Sequence, residues 1–240
     1  MNTRSIVKTA HSSAGRGNFE LIKAKYNRIG KNAVRLTQSS LFFVKDIDLT
    51  KSSYSFDVLE NQTQNLRPDE IRLNINDEFI ITHMGVYLYA DFGKKESPII
   101  FPNLLSYPPL EMSGDCVGLK PLYAGQLKIS VNNIVYLEKW DTRKHEYLPR
   151  TQFASLNAAG VTSTVPSNDF AHDSMVHCEP MLTLSGAKKN EIVISLPQAI
   201  AAIPSFAYTN NSGEIINVTV NKIALRLFGL NAQNGAKFQS

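Results

Sequence analysis

The residues of this 240-residue chain best suited to chemistry gather in one stretch, His172-Asp173…His177-Cys178-Glu179. It places imidazole, carboxylate and thiol groups close together in sequence. Zinc takes about four such ligands in a tetrahedron. Histidines five apart share neither a strand face nor a helix face, so only a loop would gather them. The stretch therefore reads as polar loop residues, with no metal and no cofactor expected. Asp69-Glu70 and Asp77-Glu78 offer oxygen ligands for calcium, or an acid and a base. Neighbours on a strand point to opposite faces, so neither pair converges, and both read as turn and cap residues. Asp141, Arg143, Lys144, His145 and Glu146, after Trp140, read as a solvated turn or a salt-bridged contact between subunits. The chain has no Gly-rich phosphate loop, nucleophile elbow, His-Glu-x-x-His or Cys-x-x-Cys. Cys116 and Cys178 lie far apart, residues 1–15 do not read as a secretory signal, and both cysteines are expected to be free thiols. These patterns point away from an enzyme.

Charge is distributed unevenly. The first 36 residues carry eight Lys or Arg and one acid, a formal +7, whereas the whole chain is +4. The remaining 204 residues hold 17 basic and 20 acidic residues, a net −3. Residues 1–36 therefore read as a basic arm on a slightly acidic body. Such an arm suits phosphate or lipid headgroups. Its candidate contacts are Lys8, Arg16, Lys23, Lys25, Arg28, Lys31 and Arg35, facing membrane lipid, nucleic acid or a neighbouring subunit. The body has no basic stripe interleaved with aromatics, so any nucleic-acid contact is expected to be non-specific and carried by the arm.

The elements that would position these groups are mostly strands. Within the arm, Phe19, Ile22, Tyr26 and Ile29 fall on one helical face, Asn18 can cap it and Gly30 can end it, which predicts a helix over about 18–29. From Leu41 the pattern becomes β. Tyr54, Phe56 and Val58 alternate with polar residues, as do Ile71, Leu73 and Ile75, and 79–92 is long enough to span a sheet. Asn132-Asn133 between alternating segments predicts a hairpin. A second hairpin is expected from 181–184 and 191–196 around a turn at 186–190, and a helical turn over 197–203. The long last strand changes parity across Asn221-Lys222, where a bulge is expected. About twelve strand segments with Gly, Pro and Asn turns predict a mainly β protein, a β-sandwich of the jelly-roll kind. The halves of the body are placed at 37–140 and 141–240.

Three stretches carry a resemblance. They are Leu66-Arg67-Pro68-Asp69-Glu70-Ile71-Arg72-Leu73 with Asn76 to Thr82, then Leu122-Tyr123-Ala124-Gly125-Gln126-Leu127-Lys128-Ile129 continuing to Tyr147-Leu148-Pro149-Arg150-Thr151-Gln152, and Glu179 to Gly186 with Leu225-Arg226-Leu227-Phe228-Gly229. Their order resembles virion proteins of small tailless bacteriophages, in particular the jelly-roll major capsid proteins of Flavobacterium phages with an internal membrane. The resemblance covers roughly 66–230 and leaves the arm unmatched. It implies a double jelly roll, with a single roll as the alternative, and a structural virion protein made in the host cytoplasm. It further implies trimers that build an icosahedral shell with other capsid subunits, and an arm facing the interior. A minor capsid, vertex or spike protein that binds a receptor or glycan is the alternative function. Tyr107, Tyr123, Trp140 and Tyr147, in or beside loops, are the candidate subunit contacts.

Overall fold

The computed structural model describes residues 20, 22–26, 34–60, 70–92, 104–106, 114–147, 174–209 and 215–238. Among them the alternating segments become ten strands: β1 (Arg35–Asp46), β2 (Ser53–Phe56), β3 (Glu78–Phe92), β4 (Leu104–Leu105), β5 (Gln126–Val131), β6 (Ile134–Asp141), β7 (Val176–Ser185), β8 (Asn190–Ser195), β9 (Ser205–Thr209) and β10 (Ile215–Gln233). All pairings between them are antiparallel. One sheet runs β1-β10-β3, with β7 and β4 sharing the far edge of β3 and β9 extending the pairing of β10. The other runs β2-β8-β5-β6.

The period-two alternation gives each sheet one apolar face, and the two faces share a core. Leu41, Phe43, Phe79, Ile81, Met84, Val86, Leu225 and Leu227 from the six-stranded sheet join Tyr54, Phe56, Leu127, Ile129, Ile192 and Ile194 from the four-stranded one in a single buried cluster. The protein is thus mainly β, with two antiparallel sheets around one core, compatible with a β-sandwich. The expected halves, 37–140 and 141–240, contribute strands to both sheets and to that core.

The pairing is nested. β5 pairs with β6, β3 with β7, β2 with β8 and β1 with β10, so that, with β4 and β9 set aside, strands equally far from the β5–β6 turn meet. The turn itself is as expected, with Asn132 and Asn133 at φ of 50° and 63°. The bulge in β10 is also present, as the register against β3 shifts between Val220 and Lys222. A second shift follows Phe228, where a Cβ on Gly229 would lie only 1.8 Å from the Ile80 carbonyl oxygen. Only glycine allows the two backbones to close there.

Several expectations are corrected. β1 begins at Arg35, not Leu41: residues 35–40 look polar, yet they pair with 228–233 of β10. The second hairpin is absent, because β7 joins β3 while β8 joins β2 and β5 in the other sheet. The turn at 186–189 therefore crosses between sheets, held by Asn190 Nδ2 donating to the Ser185 carbonyl at 2.7 Å. Residues 71–75 form no strand, only isolated bridges at Ile71 and Leu73. Ile71 and Ile75 are half exposed, whereas Arg72 is buried against Phe43 and pairs with Glu70 at 3.0 Å. Residues 197–203 are not helical.

Candidate assembly surface

β6 has the surface chemistry of a contact. It pairs with β5 alone among the described residues and so forms an edge of the four-stranded sheet. Ile134, Val135 and Tyr136 are 60%, 43% and 51% exposed, an apolar run at the tip of the hairpin. Such a run on an edge strand is a template for another chain. Two register shifts against β5, and Lys139 at φ 54°, bend the strand and break its regular ladder. Bulges of this kind restrict pairing to a partner of matching shape rather than any strand. Four consecutive apolar residues, Ile134 to Leu137, already signalled this in the sequence, since a strand with one buried face cannot hide them all.

The base of β6 is a built polar cluster. Asp141 caps a 3-10 helix, Thr142–His145, by accepting from the Arg143 N–H at 3.0 Å. Trp140 is half buried, with the Lys144 ammonium 4.0 Å from its ring centre. Trp140 Nε1 donates to His145 Nε2 at 3.0 Å, and His145 Nδ1 faces the Ser174 carbonyl at 3.2 Å. The imidazole is therefore the Nδ1–H tautomer, because Nε2 must accept. His145 is fully buried, not part of a solvated turn. Burial, with a smaller contribution from Lys144, pushes its pKa down to about 4. Thr142 ties the cluster to the sheet, accepting from the Gly125 N–H at 2.9 Å and donating to the Leu122 carbonyl at 2.6 Å.

The other aromatic candidates lie elsewhere. Tyr123 is 2% exposed, its hydroxyl donating to the Leu105 carbonyl at 2.9 Å, so it belongs to the core and offers no contact surface. Tyr147 is half buried and bonds through its backbone to Ser106. Tyr107 lies outside the described residues.

The arm is partly built into the body. Residues 22–26 are helical and lie on the face of the six-stranded sheet that points away from the core, with Ile22 and Tyr26 packed on Ile80 and Ala232. Tyr26 donates to Glu78 Oε2 at 2.5 Å, and Lys25 sits 3.4 Å from the same oxygen. Burial, then Glu78, raises the Tyr26 pKa far above its usual value. Lys25 is thus engaged with the body, Lys23 is exposed, and Arg35 is an exposed strand residue opposite Gln233. Lys8, Arg16, Arg28 and Lys31 lie outside the described residues. No helix among the described residues is long and apolar enough to cross a membrane.

No protein-family model, curated protein or solved structure matches this chain.

The sequence cluster 172–179 separates on β7. Period two turns Cys178 into the core, 2% exposed, and leaves His177 and Glu179 exposed on the opposite face. His172 and Asp173 lie outside the described residues. Cys178 is a buried free thiol whose pKa burial raises to about 11, so it is not a thiolate at neutral pH. Of the acid pairs, Asp77 and Glu78 point to different partners. Asp77 accepts from the Asn234 N–H at 2.9 Å and from Asn231 Nδ2 at 3.0 Å, joining the start of β3 to the end of β10, while Glu78 faces Tyr26. Glu70 accepts from the Val44 N–H at 2.9 Å, and Asp69 lies outside the described residues. No three His, Cys, Asp or Glu side chains among the described residues are arranged to hold a metal ion.

Proposed function

We propose that this chain is a self-assembling virion shell subunit, a capsid protein built on a jelly roll. The observation that carries the reading is the nested pairing split over two sheets in the orders β1-β10-β3-β7 and β2-β8-β5-β6. That winding, with β4 and β9 as additions, supports the jelly-roll reading, a fold that serves capsid and lectin domains among others. Among the described residues, ten strands around one core favour a single roll over the double roll that the family resemblance implies. Fold alone does not give function. The exposed Ile134-Val135-Tyr136 edge and the basic arm support assembly, with lateral contacts between copies and the arm turned to the interior, toward membrane lipid or genome. Burial of apolar surface between copies at about 25 cal/mol per Å² drives association.

The single winding also favours a second reading, a vertex or spike subunit that binds a receptor or glycan. Mass measurement by light scattering, with electron microscopy of the purified protein, separates the two. Trimers or shells are expected for the capsid reading. Pentamers with saturable glycan binding would move the protein to the vertex, and a monomer that never associates at micromolar concentration overturns assembly altogether.

A further inference from the structure

Two histidines far apart in sequence meet on the outward face of the six-stranded sheet. His83 of β3 pairs in register with His177 of β7. Both side chains are exposed, and their ring centres lie 5.0 Å apart at an interplanar angle of 74°. We propose that His83 and His177 together bind one divalent transition-metal ion of the zinc type, with water in the remaining positions.

The spacing fits a shared ion. With metal–nitrogen bonds of about 2 Å and a tetrahedral angle, two imidazoles on one zinc have ring centres roughly 5 Å apart. Imidazole is a ligand suited to zinc, nickel and copper rather than to magnesium or calcium.

The surroundings prepare His83 as a ligand. Thr82 Oγ1 donates its only hydrogen to the Phe228 carbonyl at 3.1 Å, so toward His83 Nδ1, 3.1 Å away, it can only accept. His83 therefore carries its hydrogen on Nδ1 and a lone pair on Nε2, directed away from its own backbone. A ligating histidine commonly hands its other N–H to an oxygen in this manner. The hydroxyl is held where the register of β3 against both β7 and β10 shifts, beside the close approach of Gly229 to Ile80. On the adjacent strand, the Arg226 guanidinium lies 4.7 Å over the Phe228 ring.

Isothermal titration of the full chain with Zn²⁺ tests the site, with the visible absorption band of bound Co²⁺ as a second readout. One ion per chain should bind at this site, and His83→Ala and His177→Ala should each lower affinity at least tenfold while circular dichroism stays unchanged. Thr82→Val, which keeps shape and removes the acceptor, should weaken binding by about tenfold. Binding that survives both histidine substitutions, or that is lost with only one of them, overturns the two-imidazole site, as does the absence of saturable binding by the unaltered chain.

Discussion

His145 is the residue whose chemistry the fold alters most. Unfolded, its imidazole takes up a proton near 6.5; folded, desolvation holds the pKa at about 4. Protonation would also set an N–H at Nε2 against the Trp140 N–H that it now accepts. Between these pH values the unfolded chain binds more protons than the folded one, so stability falls as pH falls through that window and is complete above about pH 6.5. The full effect is of the order of 3 kcal/mol at most. His145→Gln should therefore lower stability at pH 7 through the lost hydrogen bonds, yet show a smaller further loss between pH 6.5 and 4.5 than the unaltered protein. Chemical denaturation at both pH values measures it. Equal losses in the two proteins would mean that His145 is not held neutral by the fold.

At the scale of elements, what could be read from the sequence depended on how local its cause is. The Asn132-Asn133 turn and the bulge after Val220 are set by adjacent residues, and both were legible. The sheet to which β7 and β8 belong is set by partners more than 50 residues away, such as Phe79 opposite Leu184, Tyr54 opposite Ile194 and Ile129 opposite Ile192. No short window contains that information, so a hairpin was the natural misreading. Residues 71–75 misled for another reason. Arg72 is buried because Glu70 neutralises it and Phe43 covers it, contacts that hydropathy does not register. The candidate surface was half legible: Trp140 lies beside it, Tyr123 is core, and the Ile134-Val135-Tyr136 run has the composition of a buried strand although it is exposed. β6 itself yields a prediction. Tyr136→Lys places a charge on the exposed edge, where surface substitutions change stability by only about 0.5 kcal/mol or less. Association should weaken while the melting temperature stays within about a degree or two. Unchanged association by light scattering would mean that copies meet through another face.

For the molecule as a whole, the basic segment is not simply appended to the sandwich. Its helical residues 22–26 cover Ile80 and Ala232 of the outer sheet face, and Tyr26 supplies a hydrogen bond to the buried Glu78 carboxylate. Burying an isoleucine and a tyrosine contributes roughly 2 kcal/mol each. Removing the phenol from a buried carboxylate costs about 1–3 kcal/mol more, although Lys25 and other partners remain part of its surroundings in the intact chain. Deletion of residues 1–33 is thus expected to lower stability by roughly 5–7 kcal/mol, and the melting temperature by about 15–20 °C for a chain of this size. A deletion that leaves the melting temperature untouched would show that the helix does not hold the sheet. The same coupling decides how the arm's partner must be sought, because loss of binding in the deleted protein would mix lost charge with lost structure. Lys23 separates the two: it is exposed on the helix and its substitution leaves Ile22 and Tyr26 in place. A lysine near an anionic surface contributes about 1 kcal/mol, close to fivefold in affinity, and the contribution shrinks as salt rises. Lys23→Gln should therefore weaken binding to anionic liposomes or to single-stranded DNA about fivefold at low salt, less at high salt, with the melting temperature unchanged. The partner is the one whose affinity responds, and a response from neither would mean that this stretch of the arm serves the fold alone.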